Sequence, residues 1–150
     1  MTSIPSTLDS PIRLTIPPEL ARLEALNDSL DAALRQRGVD ADVRADVRLI
    51  IEEWACNAIT HGEADGADGK EMQIDIDIKD GLLHLRFSDG GPPFDPRSVS
   101  DPDLDAHILD RPVGGLGLYL IRQLAEQLEY QRSGHRNLLH VSLRIPNKEP

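Results

Sequence analysis

The sequence predicts an α/β fold built as a two-layer sandwich, a mixed and mostly antiparallel sheet with helices on one of its faces. Three observations predict it. The stretches "IDIDIK" and "LLHLRF" alternate apolar and polar residues, the period-two mark of strands with one buried and one wet face. The dipeptide Asp80-Gly81 between them is a two-residue hairpin signal. Leucines 20, 23, 26, 30 and 34 recur at helical spacing. A parallel sheet covered on both faces would read instead as continuous apolar runs.

In chain order, residues 1–11 read as a short polar leader, expected to be flexible. Ile12, Leu14 and Ile16 alternate with Arg13 and Thr15 as a half-buried strand, closed by Pro17-Pro18. The leucine stripe forms a first helix with Gly38 as its C-cap. Asp40 or Asp42 opens a second helix, with Val43, Val47, Ile50, Trp54 and Ala58 on its buried stripe and an end near Gly62. "EADGADGK" is a loop by composition. Ile74, Ile76 and Ile78, then Leu83, Leu85 and Phe87, line the two hairpin strands. Residues 89 to about 113 are loop-like, apart from a short turn at "DLDAHIL". Gly114-Gly115-Leu116-Gly117 opens a third helix carrying Leu118, Ile121, Leu124, Ala125 and Leu128. Strands around "LEYQR" and "NLLHVSLRI" follow, joined by the turn "SGHRN". No repeat or linker divides the chain, so one domain over 1–150 is expected.

Composition narrows the function. A chain of 150 residues can bury roughly 70% of its unfolded surface. Its net charge of -10 argues against direct contact with nucleic acid, for which a basic face is expected. Cys56 is the one cysteine, so no internal disulfide or thiolate zinc site is expected, and the histidines show no metal-ligand spacing. No apolar run approaches the ~20 residues of a membrane span, and the first residues lack the pattern of a secretory leader. These features point to a cytoplasmic protein without a membrane partner.

Three clusters stand out, each open to two readings. Glu53, Asn57 and His61, at i, i+4 and i+8, share one helical stripe beside the apolar one. They form either a solvated helix edge or a carboxylate and an amide oxygen aimed into a cleft, able to act as base and Mg²⁺ ligand. The stretch "SDGGPPFDP" is either a tight turn leaving a strand or a fixed carboxylate, Asp89, with Gly91 letting a flat ligand approach the backbone. "GGLGLYLIRQL" is either a plain turn into a helix or a phosphate-binding helix N-terminus.

Taken in order, these motifs resemble the Bergerat-type (GHKL) ATP-binding domains, and within them the small RsbW-type anti-sigma-factor serine-protein kinases. "EEWACNAITHG" is similar to that family's N-box, "DGGPPFDP" to its first glycine box and "GGLGLYLIRQL" to its second; the resemblance runs from "IRLTIP" to "HVSLRIP". It implies a histidine-kinase-like ATP-binding domain using ATP and Mg²⁺. Glu53 would be the general base for a substrate serine, and Asn57 the Mg²⁺ ligand. Asp89 would bind the adenine amine, with Gly91 beside the base. His61, Phe94, Gly114, Gly115, Leu116 and Gly117 would complete the ATP site. Residues 94–113 would form its lid, with Arg97, His107 and Arg111 as the lid side chains able to meet a γ-phosphate; Arg111 is carried forward among the ATP contacts. One departure is Pro93, which stands where many members have a second glycine; proline fixes φ and donates no N–H.

The resemblance further implies phosphorylation of a STAS-domain anti-anti-sigma factor, sequestration of a sigma factor in a partner-switching system, and a homodimer. Without dimerisation-phosphotransfer helices or a sensor, the chain does not read as a complete histidine kinase. The alternative is a nucleotide-dependent module that sequesters its regulator without phosphorylating anything. Glu53 argues for the kinase, because a pure binder has no chemical need for a base there.

Overall fold

The structure, a computed structural model, describes residues 11–16, 19–62, 72–98 and 115–146; the side chains of residues 20, 58–62, 115 and 116 also fall outside that description. Strand β1 is Ile12–Ile16, as the alternation predicts. Helix α1, Leu20–Gln36, buries Leu23, Leu30 and Leu34. Gly38 ends it at φ 81°: its N–H bonds to the Arg35 carbonyl at 3.0 Å, and the Val39 N–H to the Leu34 carbonyl at 3.0 Å. This is the paired bonding of a Schellman cap, and buried Val39 and Leu34 supply its apolar contact. Helix α2, Ala41–Gly62, follows directly, burying Val43, Val47, Ile50, Ile51, Trp54 and Ala55.

Strands β2, Met72–Lys79, and β3, Leu82–Asp89, form the expected hairpin. Asp80 (φ 55°) and Gly81 (φ 77°) both lie in the left-handed region, as a type I′ turn requires. Helix α3 is Gly115–Leu124, opened by the glycine cluster. It stops four residues earlier than the apolar spacing implies: Leu128 belongs to β4, Gln127–Ser133, where it pairs with Val141. Strand β5, Arg136–Arg144, likewise starts earlier than expected. Only Gly134 and His135 remain in the turn, because Arg136 and Asn137 pair with Ser133 and Arg132.

The sheet order is β1-β2-β3-β5-β4, and every described pairing is antiparallel. Register stacks the core into rows. Ile74, Phe87 and Leu139 lie side by side, as do Ile76, Leu85 and Val141, and Ile78, Leu83 and Leu143. All of these side chains are buried, in one cluster with α1, α2 and α3. Removing one, as in Ile76→Ala, is expected to cost about 2–5 kcal/mol in lost transfer energy and cavity.

The opposite face is polar. One row crosses all five strands: Arg13, Asp75, Arg86, His140 and Glu129. Arg13 meets Asp75 at 2.8 Å, but the pair is exposed and contributes little. The two-layer arrangement therefore stands as expected, with helices on one face. The leader (residues 1–10), Pro17-Pro18, the "EADGADGK" loop and the turn at "DLDAHIL" lie outside the described residues.

Candidate functional site

Asp89 is the last residue of β3 and only 6% exposed. Strand alternation turns it toward the helix layer, and the chain leaves the sheet immediately after it. Its Oδ1 accepts from the Gly91 N–H at 3.0 Å, a local turn of the kind aspartate favours. The same oxygen accepts from Asn137 Nδ2 at 3.1 Å, and Asn137 sits opposite it in the β3–β5 register. Asn137 Nδ2 also lies 3.3 Å from the Gly91 carbonyl and 2.9 Å from that of Pro92. The Gly91 carbonyl additionally accepts from Arg132 at 2.6 Å. The Tyr130 hydroxyl donates to Asn137 Oδ1 and accepts from the Phe94 N–H. The "SDGGPPFDP" corner is therefore a hydrogen-bonded unit anchored on β4 and β5. It is fixed well beyond an ordinary turn.

The chain beyond it is also tied down at first. Pro96–Ser98 forms a single 3₁₀ turn. Arg97 is held by Asp95 in a two-pronged pair, Nε to Oδ1 at 2.9 Å and a terminal nitrogen to Oδ2 at 2.8 Å. These bonds hold the Asp95 carboxyl below the usual carboxylate range. Of the cations considered for a γ-phosphate, Arg97 thus already has a carboxylate partner.

The second half of the site is on α2. Glu53 and Asn57 are half-buried on the helix edge, one turn apart, flanking buried Trp54. Trp54 packs against Phe87 at the end of β3 (centroids 6.4 Å apart) and Phe94 just past the corner (6.2 Å), so it joins α2 to the Asp89 corner. Glu53 faces α3. A Cβ built on Gly117 would collide with the Glu53 carboxylate and lie 2.7 Å from its Cδ and 3.2 Å from its Cγ. Glycine at 117 is what allows α2 to lay this acid on the first turn of α3. That turn is the end of a helix where free N–H groups and the positive end of the dipole gather. Burial, then the charges of Glu53 and Glu52, push the Cys56 thiol up from its ordinary value.

Among the described residues, no group of three or more His, Cys, Asp or Glu side chains could hold a metal ion. Mg²⁺ is a hard cation that takes oxygen ligands and keeps several waters, so a site needs only one or two protein oxygen donors beside substrate phosphates. The Asn57 carboxamide is such a donor.

Glu53, Asn57, Asp89, Gly91, Phe94 and Gly117 all lie on the helix side of the sheet or at its end. Gly115 and Leu116 start α3, and His61 is in the last turn of α2, its side chain outside the described residues. Gly114, His107, Arg111 and residues 99–113 of the expected lid also lie outside them. Sequence reasoning missed Tyr130, Arg132 and Asn137. A signal was present: Asn137 is a polar residue in phase with Leu139, Val141 and Leu143. A concavity of about 310 Å³ lies on the other face of the sheet, around Arg86, Ser88, Leu138 and His140, away from this site.

Residues 16–143 match the family model described as the histidine kinase-like ATPase domain. The serine-protein kinase RsbW of Listeria innocua is 29% identical over 138 residues, covering 83% of this chain and 81% of that protein. RsbW of Bacillus pumilus is 27% identical, covering 80% and 77%. Among solved structures, the RsbU and RsbW domains of a Mycobacterium tuberculosis protein align with a TM-score of 0.64 at 17% identity, covering 91% of this chain and 32% of that one. The SiaB–SiaC complex of Pseudomonas aeruginosa aligns at 0.63 and 15% identity, covering 92% and 90%.

Proposed function

The chain belongs to the histidine kinase-like ATPase family, and from that premise we propose that it is an ATP-dependent serine-protein kinase and anti-sigma factor of a partner-switching system. Its substrate would be a STAS-domain anti-anti-sigma factor, its sequestered partner a sigma factor, and its working form a homodimer in the cytoplasm. The observation that carries the reading is the Glu53 carboxylate lying on the first turn of α3 against Gly117. A base for a hydroxyl is useful there because nucleotide phosphates favour the N-terminus of a helix. RsbW relatives described as serine-protein kinases support the same reading.

In this reading Asp89 accepts a hydrogen bond from the adenine amine, with Gly91 beside the ring. The first turn of α3, with Gly114, Gly115, Leu116 and Gly117, receives the phosphates. His61, Phe94 and Arg111 complete the nucleotide site. Glu53 orients the substrate serine and takes its proton as Oγ forms a bond to the γ-phosphorus; the bond to the β–γ bridging oxygen breaks, and ADP leaves. Catalysis of this kind rests on positioning and charge stabilisation. Asn57 would hold Mg²⁺, which when bound neutralises charge on the phosphates.

The test is incubation with radiolabelled ATP, Mg²⁺ and the STAS proteins encoded by the same genome. Phosphoserine on one of them is expected, and its loss in Asn57→Ala together with Mg²⁺-dependent nucleotide binding. Tight nucleotide-dependent capture of a regulator with no phosphoserine on any partner would replace the kinase by a sequestering module.

A further inference from the structure

We infer that Asn137, held by Tyr130 and Arg132, is a positioning residue that aims the Asp89 carboxylate and thereby makes the site select a 6-amino purine over a 6-oxo purine. The inference rests on the nucleotide reading above and adds to it the source of its base selectivity.

The orientation of the Asn137 amide follows from its partners. Arg132 can only donate, and its terminal nitrogen lies 3.2 Å from one end of the amide, so that end is the oxygen. The Tyr130 hydroxyl donates to the same oxygen and accepts from the Phe94 N–H, 3.2 Å away. The other end is therefore the NH₂ group, facing Asp89 Oδ1 at 3.1 Å and the Pro92 carbonyl at 2.9 Å. Asn137 is only 4% exposed and sits on a strand, so its rotamer is set by packing as well as by these bonds.

The consequence falls on Asp89. Oδ1 is occupied by the Asn137 NH₂ and the Gly91 N–H. Both are donors on the same oxygen, and together they stop the carboxylate from rotating. Oδ2 is then the acceptor presented to a ligand, at a fixed angle. An exocyclic amine donates to such an oxygen. A 6-oxo group meets it acceptor to acceptor, and a carboxylate that cannot turn away cannot relieve that repulsion. Selectivity thus depends on Asp89 being held as well as on its being acidic.

The experiment titrates ADP and GDP, each with Mg²⁺, into wild type, Asn137→Ala and Tyr130→Phe by calorimetry, with urea unfolding of each variant to establish its folded fraction. Wild type is expected to prefer ADP. In Asn137→Ala the ADP affinity should fall by roughly tenfold, the scale of one hydrogen bond to a charged group, while GDP binding changes little. The ADP:GDP ratio therefore shrinks by about the same factor. Tyr130→Phe, which removes one hydroxyl, should shift the ratio the same way by less. A merely structural role lowers both affinities together, so an unchanged ratio overturns the inference. Should Asn137→Ala fail to fold, Tyr130→Phe decides alone, and a wild-type ratio there overturns it. Wild type binding ADP and GDP equally also overturns it, with the nucleotide site intact. Wild type binding neither overturns the nucleotide reading itself.

Discussion

The two halves of the site are held in opposite ways. The Asp89 corner is clamped: Gly91, Pro92 and Phe94 are each bonded to a side chain of β4 or β5, and Asp89 is almost fully buried. The Glu53 edge of α2 is propped by packing, with Trp54 beneath it and Gly117 across from it, and its acid stays half-exposed. The difference fits the proposed roles. Discriminating one base from another needs an acceptor that cannot rearrange. Accepting a proton from a hydroxyl on another protein needs an acid that the partner can reach. One fold meets both demands by putting the first group on a strand end and the second on a helix edge.

The largest expected effect breaks the propped half. Glu53→Ala should lower phosphate transfer by about 10²–10⁴-fold, the usual contribution of a positioned base, with nucleotide affinity near that of wild type. Single-turnover transfer to the STAS partner measures this, and a wild-type rate would remove Glu53 from the role. Gly117→Ala sharpens the contrast by moving the acid without replacing it. The new methyl must displace the far end of a flexible side chain, so transfer should fall by about 10–100-fold. The fold should survive, because alanine favours a helix over glycine by about 0.5–1 kcal/mol. A thermal midpoint well below wild type would show that the glycine is needed for packing instead.

On the clamped half, Asp89→Asn should weaken ADP binding by roughly tenfold, since the amide can present a donor where the ring amine also donates. Calorimetry showing wild-type affinity would take Asp89 out of adenine recognition. The smallest effect lies on the face away from both halves. His140 bonds His84 at 2.8 Å, beside Arg86 in the register and with Glu129 3.9 Å away. Burial first, then Arg86 and His84, hold its imidazole below 6.5, with Glu129 opposing them. As pH falls below that value the unfolded chain takes up a proton that the fold resists, so stability declines with acidification. His140→Gln should flatten that decline while leaving nucleotide binding alone. Urea midpoints compared at about pH 7.5 and about pH 5.5 check it; an unchanged slope would place the titration elsewhere.

The strands, the Asp80-Gly81 turn, the three helices and their buried stripes were legible in the residues, because burial of one face imposes a period and turns demand particular φ values. The order of the three motifs carried the family. The ends of elements were not legible. Leu128 is in phase with α3 yet lies in β4, and Ser133 and Arg136 read as turn yet pair across β4 and β5, because cross-strand pairing overrode local preference. Nor could spacing reveal that Tyr130, Arg132 and Asn137 converge on Asp89, or that Gly117 meets Glu53. Periodicity reports which face of an element is buried. Which residues meet across two elements depends on register and packing, and those exist only once the sheet has assembled and the helices have settled on it.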